Sequence, residues 1–84
     1  MKYTVTWLPA ASSELTRLYN QPLNRQAVAD AADLIDQELK IDPDQKARLF
    51  GGMYFYRVPP LVVAFEVIPD DCLVRVLQVY RVKS

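Results

Sequence analysis

Apolar positions recur with one period in the first half of this chain and another in the second. Tyr3, Val5 and Trp7 alternate with Thr4 and Thr6, which predicts a strand over residues 3–8 with one face buried. Pro9 suits the first turn of a helix, where its missing N–H costs no bond. That helix is expected to run to about Tyr19, with Ala11, Leu15, Leu18 and Tyr19 on one face. Asn20-Gln21-Pro22 breaks it, and Pro22 starts the next helix. There Ala27, Val28, Ala31, Leu34, Ile35 and Leu39 recur at helical spacing and form one apolar stripe, while Arg25, Asp30, Asp33, Asp36 and Glu38 cover the rest. The small alanines allow the two helices to lie close as a hairpin, and Lys40 complements the second helix's dipole.

Residues 41–52, with Asp42-Pro43-Asp44 and Gly51-Gly52, read as a loop. Beyond it the period becomes 2. Met53–Val58, Leu61–Ile68 and Leu73–Arg81 are rich in β-branched and aromatic residues, with short breaks at Pro59-Pro60 and Pro69-Asp70-Asp71 that suit antiparallel hairpins. In the last run Val74, Val76, Gln78 and Tyr80 alternate with Leu73, Arg75, Leu77, Val79 and Arg81, and its near-continuous apolarity predicts an interior strand covered by the helices. The expectation is an α+β fold in the order β-α-α-β-β-β, a helical hairpin packed on a small antiparallel sheet, as one domain over residues 1–84.

Composition narrows the chemistry. Four basic residues face six acidic ones in residues 1–42, and six face four in residues 43–84, so the net charge of zero hides a mild bias. The chain has no histidine, which removes the commonest catalytic base, Ser–His and Cys–His pairs and most transition-metal sites. No metal or cofactor is expected. Cys72 stands beside Asp70 and Asp71, whose charges disfavour a thiolate. The single cysteine, the absence of a membrane-length apolar run and a strand-like start predict an intracellular, cytoplasmic domain. Asp30, Asp33 and Asp36 are explained by a solvated helix face. Glu66, inside an apolar strand, is expected to pair across strands with Arg57 or Arg75. What remains is basic and aromatic: Lys46, Arg48, Tyr54, Tyr56, Arg57, Arg75, Tyr80, Arg81 and Lys83. Such residues can neutralise a phosphate and stack on a base. They are equally ordinary strand residues snorkelling at sheet edges.

Several strings resemble the RelE/ParE superfamily, the toxin halves of bacterial type II toxin–antitoxin pairs. Trp7-Leu8-Pro9-Ala10-Ala11 with Glu14-Leu15 and Leu18-Tyr19 is similar to the passage from its first strand into its first helix. The stretch from Ala31 to Leu39, closing on Asp42-Pro43, is similar to the end of its second helix. Tyr56-Arg57-Val58, Leu61-Val62-Val63-Ala64-Phe65-Glu66-Val67, Asp70-Asp71 and Val74-Arg75-Val76-Leu77-Gln78-Val79-Tyr80-Arg81 resemble its C-terminal meander. The resemblance covers essentially the whole chain and looks most like a short divergent branch. It implies a toxin, of a class tied to plasmid stabilisation, acting as a metal-independent mRNA interferase on the ribosome. Arg57, Arg81 and Tyr80 would then be catalytic and Lys46, Arg48 and Tyr54 RNA-binding. Val62 occupies a position where ribonuclease-active members carry an arginine. Two other functions are compatible with that departure: a ParE-like toxin that inhibits DNA gyrase by binding, and a degenerate relative that only binds a partner. All three imply a cognate antitoxin protein, with neither a membrane nor a small-molecule cofactor as partner.

Overall fold

Alternation in the first residues produces the expected strand: β1 spans Thr4–Trp7, with Val5 and Trp7 packed against the core and Thr4 and Thr6 exposed. The computed structural model describes residues 2–21 and 25–82. The expected helix start at Pro22 lies outside these residues, as does Lys83. Helix α1, Pro9–Tyr19, begins with proline at its first turn and closes its first bond from the Ser12 N–H to the Leu8 carbonyl at 2.9 Å. It buries Ala11 and Leu18. Helix α2, Arg25–Glu38, buries Val28, Ala31 and Ile35, and Leu39 extends that stripe just past its end. Leu34 and Ala27, expected on the same stripe, are exposed. The buried face is narrower than the apolar set, because the sheet needs only one ridge of α2.

The stretch expected to be a loop contains two short elements. A single helical turn, α3, spans Pro43–Lys46 and is followed by strand β2, Arg48–Phe50. Gly51 and Gly52, at φ 62° and 84°, form the turn into β3, Met53–Val58. Positive φ at both central residues is the requirement of a tight hairpin turn with the sheet's own twist. A cis peptide joins Pro59 to Pro60 between β3 and β4, Leu61–Ile68. A short 3-10 turn, Pro69–Asp71, then leads to β5, Leu73–Arg81.

The sheet has five strands, the four expected and the short β2, in the order β1-β5-β4-β3-β2. It is mixed: β2 to β5 form the antiparallel meander, whereas β1 pairs with β5 in parallel. Parallel pairing follows from the αα-hairpin and meander that separate the two strands, which return the chain in the same direction. β5 is interior for its first half, as its apolarity predicts. The helices cover one face of the sheet, and Leu61, Val63, Phe65, Val74, Val76 and Val79 meet Ala11, Leu18, Val28 and Ile35 there. No buried side-chain N or O atom lacks a partner among the described residues, so the core is apolar throughout. Among the same residues no helix is long and apolar enough to cross a membrane.

Candidate functional site

Strand register decides which side chains share the face that the helices leave open. On β4 the core-facing residues are Leu61, Val63, Phe65 and Val67, so Val62, Ala64, Glu66 and Ile68 face the other way. Their partners across β3 are Arg57 for Val62 and Phe55 for Ala64, and Phe55 in turn pairs with Arg48 on β2. Across β5 the partners are Tyr80, Gln78 and Arg75. Two rows result, Tyr80–Val62–Arg57 and Gln78–Ala64–Phe55–Arg48. A third pair, Glu66 and Arg75, is the expected cross-strand ion pair: Arg75 Nε donates to Glu66 Oε1 at 2.8 Å.

A β-bulge sets this arrangement. The β4–β5 register shifts between Ala64 and Phe65, where Ala64 pairs with Gln78 and Phe65 with Val76, leaving Leu77 as an extra residue. Strict alternation puts Tyr80 with Val74 and Val76 and Arg81 on the opposite face. The bulge exchanges them. Tyr80 joins the open face, and Arg81, opposite Leu61, turns to the helical side. There its Nη1 donates to Gln21 Oε1 at 2.6 Å, just beyond α1.

The cationic residues gather where α3 and β2 meet this face. Lys46, Arg48, Phe55, Tyr56, Arg57 and Val62 line a groove of about 510 Å³. Lys46 Nζ is held by Glu38, 2.9 Å from both its carboxylate and its main-chain carbonyl. Neither Arg48 nor Arg57 has a side-chain hydrogen bond or ion pair among the described residues, so both guanidiniums are available to an anion. Tyr80 is 45% exposed and donates its hydroxyl to Gln78 Oε1. Among the described residues no cluster of His, Cys, Asp or Glu could hold a metal ion. Chemically, the groove can bind a phosphate between two unpaired arginines, with the Phe55 ring beside them for an apolar or base contact.

Of the residues singled out in the sequence, Lys46, Arg48 and Arg57 therefore converge, and Tyr80 lies in register with Arg57 two strands away. Arg81 does not join them. Tyr54 lies on the helical side, stacked on Phe65 with ring centroids 5.6 Å apart. Phe55 escaped notice, although its position two residues before Arg57 places both on one face of a strand. The bulge had a signal too: unbroken alternation buries polar Gln78 and exposes apolar Val79, and the extra residue reverses both.

No family model matches the chain, and no curated protein matches it. Solved structures do. A chain of the toxin–antitoxin complex RelBE2 from Mycobacterium tuberculosis is similar with a TM-score of 0.81 at 16% identity, over 96% of this chain and 92% of that one. The chromosomal ParDE system of P. aeruginosa gives 0.67 at 18% identity, covering 98% of both chains. Free E. coli RelE, as a double arginine mutant, gives 0.69 at 17% identity, over 96% of this chain and 84% of that one. The helical hairpin on a five-stranded sheet is thus the fold of the RelE and ParE toxins.

Proposed function

We infer from this RelE/ParE fold that the chain is the toxin of a type II toxin–antitoxin pair, acting in the cytoplasm and blocking translation by cleaving mRNA on the ribosome. One observation carries the finer part: Arg48 and Arg57, both without a counter-charge among the described residues, share an open groove with Phe55, and Tyr80 stands in the row of Arg57. Cleavage of RNA by its own 2′-hydroxyl forms a new bond from O2′ to phosphorus, releases the hydroxyl proton to solvent water and breaks the bond to O5′. Negative charge builds on the phosphate oxygens along the way. Arg57 and Arg48 neutralise that charge, worth several kcal/mol where the donors are fixed in advance. Tyr80 either stacks on the displaced base or gives its proton to the leaving O5′.

A second reading has its own support. Val62 sits in the middle of the row between Arg57 and Tyr80, and Arg81 faces away, so the groove has fewer charged groups than phosphate chemistry uses at its best. A ParE-like toxin, which holds DNA gyrase by binding alone, needs only the surface. Induced expression separates the two. Rapid arrest of protein synthesis with cut mRNA supports the nuclease; an SOS response with intact mRNA supports gyrase. Normal growth in the absence of any antitoxin contradicts both and leaves a partner-binding protein.

A further inference from the structure

β2 is an outer edge of the sheet, and among the described residues β3 is the only strand beside it. The Gly51-Gly52 turn leaves Phe50 and Met53 as a hydrogen-bonded pair, the pattern of a two-residue hairpin. Alternation then turns the main-chain groups of Arg48 and Phe50 to β3 and those of Leu49 outward. Next in that outward row, the Ala47 N–H is already taken by the Pro43 carbonyl at 3.3 Å. The open ladder is thus short, bounded by α3 at one end and by the glycine turn at the other. Edge strands are usually guarded by charges or proline. Here Leu49 is 60% and Phe50 74% exposed, and no other large apolar side chain among the described residues is as exposed.

A row this short suits a copy of itself. Two β2 strands set antiparallel about a two-fold axis at Leu49 bring the N–H and carbonyl of that residue opposite those of the other Leu49, which makes two hydrogen bonds. Leu49 pairs with Tyr54 on the helical side, so Arg48 and Phe50 share the open face. The same register places Arg48 opposite Phe50 of the other copy, twice, in the more closely spaced kind of antiparallel pair. Charge favours this register. Each Arg48 guanidinium, without an ion-pair partner among the described residues, meets the face of an aromatic ring rather than the other guanidinium.

We propose that a second copy of this chain pairs antiparallel with β2 about Leu49 and sets its Phe50 against Arg48 at the rim of the cationic groove. The row Gln78–Ala64–Phe55–Arg48 then gains a fifth member, and Arg48 stands between two rings, Phe55 of its own chain and Phe50 of the second copy. A single chain supplies no ring on the outer side of Arg48, because β2 is the last strand of the sheet. In the pair, a base of a single-stranded nucleic acid stacks on the second copy's ring while Arg48 holds the adjoining phosphate. Only that use of the ring rests on the proposed action on RNA; the pairing does not.

Sedimentation velocity on the full chain, up to about 200 μM, tests the pairing, since so small a contact holds in the micromolar range. The wild type forms a reversible dimer. Leu49→Lys, which sets two ammonium groups at the axis from an exposed position, stays a monomer with an unchanged melting midpoint. A wild type that is monomeric throughout, or a Leu49→Lys dimer of equal strength, overturns the proposal. Fluorescence anisotropy of a labelled single-stranded RNA tests the shared site. Phe50→Ala and the Arg48→Ala, Arg57→Ala double variant each bind about tenfold more weakly than the wild type, the scale of one stacked base or lost phosphate contact. An excess of the double variant returns the Phe50→Ala chain to wild-type affinity, because the mixed pair joins intact arginines to an intact Phe50. A Phe50→Ala chain that binds like the wild type, or stays weak in the mixture, overturns the proposal. A wild type that dimerises through Leu49 and binds no RNA upholds the pairing and overturns only the action on RNA.

Discussion

Arg57 and Arg48 have no side-chain partner among the described residues, so truncating either removes an anion contact without orphaning a buried group. Arg57→Ala is expected to weaken binding of a short single-stranded RNA about tenfold or more, the size of a lost hydrogen bond to a charged group, with no change in the unfolding midpoint. Fluorescence anisotropy beside thermal melting checks both. Glu14 makes a different prediction. Its hydrogen bonds from Arg17, helped by that residue's charge, hold its carboxyl below the usual carboxylate range. A lowered folded-state value means that the pair stabilises the fold at neutral pH, and that this contribution is lost as pH falls through the lowered value. An NMR titration should place the Glu14 midpoint below the ordinary glutamate value, and Arg17→Met should raise it. At this scale the sequence names the basic residues but not the directions in which they point. One extra residue, Leu77, exchanges the faces of Tyr80 and Arg81. A side chain's face depends on every residue between it and the last fixed position.

Elements with several full periods were legible, and the shortest were not. The first strand, both helices and the three long strands follow from alternation or helical spacing. The four residues of α3 and the three of β2 contain too little period to read, so residues 41–52 read as a loop. Gly51-Gly52 was the available clue, since paired glycines serve a tight hairpin turn. Gly52 has φ 84° and nothing within 4 Å of a Cβ added there. Gly52→Ala therefore meets a backbone cost alone, about 1–2 kcal/mol, and the urea midpoint should fall accordingly. The same measurement tests the narrow stripe of α2. Ile35 is fully buried, and Ile35→Ala is expected to cost about 2–5 kcal/mol. Leu34 is 44% exposed, and Leu34→Ala should stay within about 0.5 kcal/mol.

For the molecule as a whole, the layering and the hairpins of the meander were legible, and the pairing of β1 was not. Helical stripe and meander require a sheet with helices on one face. That β1 joins β5 in parallel, across the 65 residues between Trp7 and Leu73, is a long-range choice that no local pattern encodes. That choice matters functionally, because it makes β1 one edge of the sheet and leaves β2 as the other. Net neutrality misleads in the same way. The chain carries ten basic and ten acidic residues, yet α3 and the sheet register bring Lys46, Arg48 and Arg57 to one groove, where Glu38 pairs with Lys46 but, among the described residues, no acid pairs with either arginine. The proposed function makes this groove a poison of translation. Cell-free protein synthesis given purified wild-type chain, or the Arg48→Ala, Arg57→Ala double variant, tests it directly. The wild type is expected to stop synthesis and leave mRNA cut within the reading frame, while the double variant does neither. Undiminished synthesis with the wild type, or equal arrest by both proteins, would contradict it.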